Sequence, residues 1–157
     1  MAKRMLLAAT LAAALVAAPA GAAAVEVSGT YAVTDFGPSE CVPVGASAAL
    51  FRCTFTAFVS GYTGSLTGTT TLSFVQLIDC RRGKTHGHGF ETFTGDVEGV
   101  GSGTLTWQTS FHADFDCTTF EPSNFTGRGS IIGGTGDLAS LRGPLSFGID
   151  TYEGVLR

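Results

Sequence analysis

The chain has 157 residues, a formal net charge of −4 and only 14% charged residues. That is about one domain's length. It is too apolar for a disordered chain, too acidic for a protein that grips nucleic-acid phosphates, and lacks the Lys/Arg runs of a membrane-surface or heparin patch.

Lys3 and Arg4 precede an apolar run from Met5 to Ala18, and small residues follow to Ala24. A charged start, an apolar middle and small-x-small cleavage choices predict a secretory signal peptide over residues 1–24, cut after Ala22 or Ala24. The run is shorter than the roughly 20 residues that span a bilayer, which argues against an uncleaved anchor. The remainder, 25–157, is expected to be one domain, secreted or periplasmic, with no membrane span after cleavage. Cys41, Cys53, Cys80 and Cys117 all fall in it. An even number of cysteines in an exported chain predicts disulfides, and no two lie at zinc-knuckle spacing.

From Val25 onward the apolar period is two, the signature of strands with one dry and one wet face. Eight strands are expected, at about 26–35, 51–60, 67–79, 86–94, 102–115, 124–132, 143–149 and 150–156. After Val27 to Val33 comes a turn signal, Asp35-Phe36-Gly37-Pro38. Phe51, Cys53, Phe55, Ala57 and Val59 then share a face, and Gly61-Tyr62-Thr63-Gly64 reads as a turn. Leu72, Phe74, Gln76 and Ile78 repeat the pattern. The clearest alternation sets Leu105, Trp107, Thr109, Phe111, Ala113 and Phe115 against Thr106, Gln108, Ser110, His112 and Asp114. No exported segment carries a helical period. Eight strands at meander spacing predict an all-β fold, an eight-stranded antiparallel up-and-down barrel rather than a sandwich, because closure removes exposed edges.

Connections in such a meander alternate between the two ends, so all four cysteines fall near one rim. That placement favours Cys41–Cys53, tying down a long first loop, and Cys80–Cys117, pinning two further loops. The other two pairings stay open. An eight-stranded barrel holds packed side chains or one small ligand. Phe55, Phe74, Trp107 and Phe111 are the candidate pocket residues, and the small inward residues Ala57, Gly103, Gly127 and Gly129 offer a source of free volume.

The most chemically loaded segment is Thr85 to Phe93. His86, His88 and Phe90 share one face, and Gly87, Gly89, Glu91 and Phe93 the other. Whichever face turns inward, the interior gains either imidazoles or a carboxylate. Glu91 and His88 are therefore the candidate catalytic residues, as acid or base in an apolar cavity. The plainer alternative has the histidines in solvent and Glu91 paired with an Arg. A metal site from His86 and His88 with His112 or Asp114 is geometrically conceivable but matches no known signature, so no metal or cofactor is expected. Gly-x-Ser-x-Gly is absent, and the cysteines are expected to be oxidised.

The C-terminal run FTGRGSIIGGTGDLASLRGPLSFG, residues 125–148, leads a strand into a Gly-Thr-Gly turn, a short apolar segment and a further strand. It resembles the allene oxide cyclase-like barrel superfamily, and within it a bacterial branch with the pattern G-T-G-[DE]-L-A-x-L-R-G. Gly134 to Leu138, Ala139 and Leu141 to Gly143 match that pattern. The resemblance extends weakly over 51–156 and implies an eight-stranded antiparallel barrel. It implies no functional residues. Physically, Leu138 and Leu141 can plug one end, Asp137 can cap the turn, and Arg142 can pair with Asp137 or a nearby carbonyl.

Three functions are compatible with this reading: a binder of a small apolar ligand, an isomerase or cyclase using Glu91 or His88, and a structural or interaction protein with a filled core. The last would work through its rim or as a homo-oligomer. An outer-membrane barrel is disfavoured, because the predicted outer face carries Thr, Ser, Arg and Asp.

Overall fold

A computed structural model describes residues 23–46 and 48–157. The expected signal segment lies outside them except for Ala23 and Ala24. Nine strands follow in order: β1 Val25–Asp35, β2 Ser39–Pro43, β3 Leu50–Gly64, β4 Leu66–Asp79, β5 Lys84–Val97, β6 Gly101–Asp116, β7 Glu121–Gly136, β8 Gly143–Phe147 and β9 Thr151–Leu156. From β3 to β9 each strand pairs antiparallel with the next, and β1 pairs with both β9 and β3. The sheet therefore closes on itself as the alternation predicts. Among the described residues no helix is long and apolar enough to cross a membrane.

β2 is the departure from the expected eight. β1 and β2 both run antiparallel to β3, β1 along Val59–Gly64 and β2 along Phe51–Phe55. They are successive parts of one broken strand. The Asp35–Pro38 signal marks that break rather than a turn into a loop. Pro38 accepts a hydrogen bond from the Thr56 amide across the gap at 3.0 Å. Opposite the break, β3 bulges: Phe55 faces Phe74, and the next paired residue, Phe58, faces Leu72. One extra residue on β3 inverts its alternation. Ala57, expected inside, is exposed at φ 57° in the bulge, and Phe58, Ser60 and Tyr62 turn inward in place of Val59. Tyr62 is thus a strand residue, not part of a turn.

The barrel is packed solid at one end. Leu66, Phe93, Val97, Leu105, Leu138 and Leu156 are essentially inaccessible there. The Gly-Thr-Gly run ends β7 at Gly136, whose φ of +62° reverses the chain at no steric cost. Leu138 and Leu141 then fold into the core as the expected plug. Each fully buried Leu contributes about 1.5–3 kcal/mol. Asp137 accepts the Ser102 amide hydrogen bond at 3.1 Å and so fastens the neighbouring hairpin, while Arg142 donates to the carbonyls of Ala139 and Leu141.

Both disulfides form as favoured, Cys41–Cys53 and Cys80–Cys117, and no described cysteine is free. Cys41 and Cys53 face each other directly across the β2–β3 ladder, so that bond staples two strands rather than closing a loose loop. Two disulfides are suited to an oxidising, extracytoplasmic compartment.

Candidate functional site

At the disulfide end the interior is not filled. A cavity of about 920 Å³ opens there. Ten of the chain's twelve phenylalanines, all but Phe90 and Phe93, line it. The rings pack in a chain: Phe55 stacks on Phe74 at 4.5 Å, Phe74 meets Phe111 edge-on at 5.6 Å, and Phe111 stacks on Phe125 at 5.6 Å. Phe36, Phe120 and Ile149 stand exposed at the mouth. All four cysteines also contribute to the wall.

The free volume does not come from the small residues expected to provide it. Gly103 lies against the Thr135 backbone and Leu138, and rings cover Gly127 and Gly129. A Cβ on Gly129 would meet Trp107 at 3.0 Å, and one on Gly127 would meet Phe147 at 3.1 Å and Phe125 at 3.2 Å. The cavity exists because the plug fills only the far end.

Where cavity meets packed core stands Glu91. β5 turns Thr85, Gly87, Gly89, Glu91 and Phe93 inward, which brings the carboxylate and not the imidazoles into the barrel. The register puts Glu91 between Leu72 on β4 and Trp107 on β6. Only 6% of the residue is exposed. Tyr62 donates its phenol O–H to Oε1 at 3.1 Å, and Trp107 donates its indole N–H to Oε2 at 2.9 Å. The Thr70 hydroxyl lies against the same carboxyl and helps hold its charge, but it is fully buried and makes no hydrogen bond of good geometry. Burial dominates over these donors and pushes the Glu91 carboxyl above its ordinary value of 4.5.

Two phenols extend this polar floor. Tyr31 stacks on Tyr62 at 5.5 Å and donates to the Gly148 carbonyl at 2.7 Å. Burial first, then the nearness of Glu91, raises both phenols well above 10, so they remain neutral donors. No Lys, Arg or His is among the residues lining the cavity, and its carboxyls are Glu91 and Glu121. The plainer expectation of an Arg partner for Glu91 is thus replaced by phenol and indole donors.

The other site candidates separate cleanly. Phe55, Phe74 and Phe111 line the cavity. Trp107 does not: it is fully buried beneath the floor and reaches the site only through its N–H. His88 is corrected outright. It lies exposed on the outer face opposite Ser110, because the face it shares with His86 and Phe90 points to solvent. His86 faces His112 across the same ladder, and Asp114 is occupied by Lys84 and by the Asn124 amide at 2.7 Å. Among the described residues no three His, Cys, Asp or Glu converge to hold a metal. Sequence reasoning missed Tyr62 because the β3 bulge carries no local signal, and missed Thr70 because it sits in a threonine-rich stretch indistinguishable from an outer face.

No protein-family model and no curated protein matches the chain. Among solved structures it is similar to a protein of unknown function from the DUF3224 family of Shewanella oneidensis MR-1, with 15% identity and a TM-score of 0.59, over 86% of this chain and 98% of that one. At this identity the likeness is one of fold.

Proposed function

We propose that this chain is an exported β-barrel that binds a small apolar ligand in its phenylalanine-lined cavity. The observation that carries the reading is the cavity itself: about 920 Å³, walled mostly by aromatic rings, with the Glu91 cluster at its floor. Ligand sites are typically concave, mostly apolar and furnished with few polar groups. The signal-like first 24 residues and the two disulfides support a secreted or periplasmic location. The GTGDLASLRG run supports placing the chain among the allene oxide cyclase-like barrels.

An isomerase or cyclase acting through Glu91 is the second reading, favoured by one observation: a buried carboxyl with a raised pKa at the cavity floor. His88 has no part in it. The unfilled interior weighs against a purely structural protein with a packed core.

Native mass spectrometry of the protein purified from periplasm or medium, followed by titration with the neutral dye Nile red, tests the binder. A bound small molecule, or dye emission that a Phe74→Asp substitution abolishes while the fold survives, is the expected result. A protein that is always empty and never takes up the dye ends the proposal.

A further inference from the structure

The lining of the cavity restricts what can sit on its floor. We infer that the ligand's buried end is uncharged and carries a hydrogen-bond-accepting oxygen, a carbonyl in the simplest case, which accepts a hydrogen bond from the Glu91 carboxyl O–H. This deepens the binder proposal and rests on it. Three observations converge. First, nothing basic lines the cavity, so a carboxylate or phosphate head would be desolvated with no cation to meet it. Second, both Glu91 oxygens are already engaged as acceptors, one by Tyr62 and one by Trp107. In its protonated form the carboxyl adds to these bonds its own O–H, a donor that seeks an acceptor. Third, the rest of the lining is mostly phenyl rings, and its Gln76, Thr85 and Thr109 side chains are spent inside the wall, donating to Thr85 Oγ1, the Leu77 carbonyl and the Arg128 carbonyl in turn.

Groups that face Glu91 from the neighbouring strands are neutral: Tyr31 on β1, Tyr62 on β3, Thr70 on β4 and Trp107 on β6. Tyr152 on β9 packs against Tyr62, and Asp150 acts on Tyr31 from the rim. A ligand acceptor therefore binds the protonated carboxyl and loses its partner as Glu91 ionises. An ammonium ligand would show the opposite dependence.

Four diphenyl compounds of similar shape test this by calorimetric titration of the disulfide-bonded protein: diphenylmethane, benzophenone, diphenylacetate and benzhydrylamine. Benzophenone is expected to bind about threefold to tenfold tighter than diphenylmethane, the range of one net hydrogen bond. Diphenylacetate is expected to bind at least about tenfold weaker than benzophenone, since its charge is buried unpaired. Benzophenone affinity should fall as pH rises through the Glu91 titration. Glu91→Gln, whose amide still donates, should keep the ketone preference and lose the pH dependence, and Glu91→Leu should lose the preference. Equal binding of ketone, hydrocarbon and acid overturns this inference and leaves the binder standing. So does tightest binding by benzhydrylamine, strengthening with pH. Failure of all four to bind, with no Nile red uptake, overturns both.

Discussion

The Glu91 carboxyl is held by a phenol, an indole and a nearby threonine hydroxyl, with no basic side chain among the cavity-lining residues. Its folded-state pKa lies above 4.5, chiefly through desolvation. The native state then binds this proton more tightly than the unfolded chain does. The contribution is fully present below the unfolded value and is lost as pH rises through the folded one. Glu91→Gln removes the titration while keeping a donor and an acceptor in place. Melting curves of the variant should coincide with wild type near pH 4 and lie higher near pH 8, by roughly 3 °C for each kcal/mol relieved. Parallel pH profiles for the two proteins would show that Glu91 does not titrate as inferred. The comparison is needed because Asp114 and Asp116, whose pKa values are lowered by hydrogen bonds from Lys84 and from the Thr118 amide, add the opposite slope in acid.

At the scale of elements, β5 and β7 show two uses of glycine in a barrel wall. Gly89 on β5 faces backbone: an added Cβ would lie 2.7 Å from the Phe74 Cα. Gly127 on β7 faces rings that have somewhere to go, Phe125 and Phe147 at the cavity edge. Gly89→Ala should therefore cost about 1–3 kcal/mol of stability, as overpacking against a rigid neighbour does. Gly127→Ala should cost less than about 1 kcal/mol and instead weaken Nile red binding, because the displaced phenyl enters the cavity. Denaturant melts and dye titrations on both variants separate the two effects. The β3 bulge is the third feature at this scale. It holds Ala57 in a left-handed conformation at an expense of about 1–2 kcal/mol and swings Tyr62 under the cavity in return.

For the molecule as a whole, the closed end is fixed by burial and the open end by covalent bonds. The hydrophobic core gathers around the plug, and the cavity leaves the rim with fewer packed contacts. Cys41–Cys53 spans 12 residues and Cys80–Cys117 spans 37. On chain entropy alone, removing the first by paired Ser substitution should cost about 3 kcal/mol and the second about 4 kcal/mol. Loss of either should also weaken ligand binding, since all four cysteines belong to the cavity wall. Thermal melts of both double variants, with dye binding measured alongside, check the order. Equal stability of the 80/117 variant and wild type would mean that the rim does not depend on the bond.

The two-residue rhythm, the even cysteines and the Gly-Thr-Gly turn pointed to an antiparallel barrel and its plug, and favoured the disulfide pairing that forms. Each of these rests on local chain geometry or on rim placement in a meander. The alternation in β5 likewise sorted Glu91 from the histidines, but it could not say which set faced inward. Gly87 and Gly89 carry no hydrophobic signal, and Phe90 is apolar yet exposed. Only the packing of β5 between β4 and β6 decides that sign. The position of Tyr62 required the bulge, where one unpaired residue inverts the phase without a local mark. The cavity required closure of the whole ring, because empty volume is what remains after every strand and the plug have taken their places.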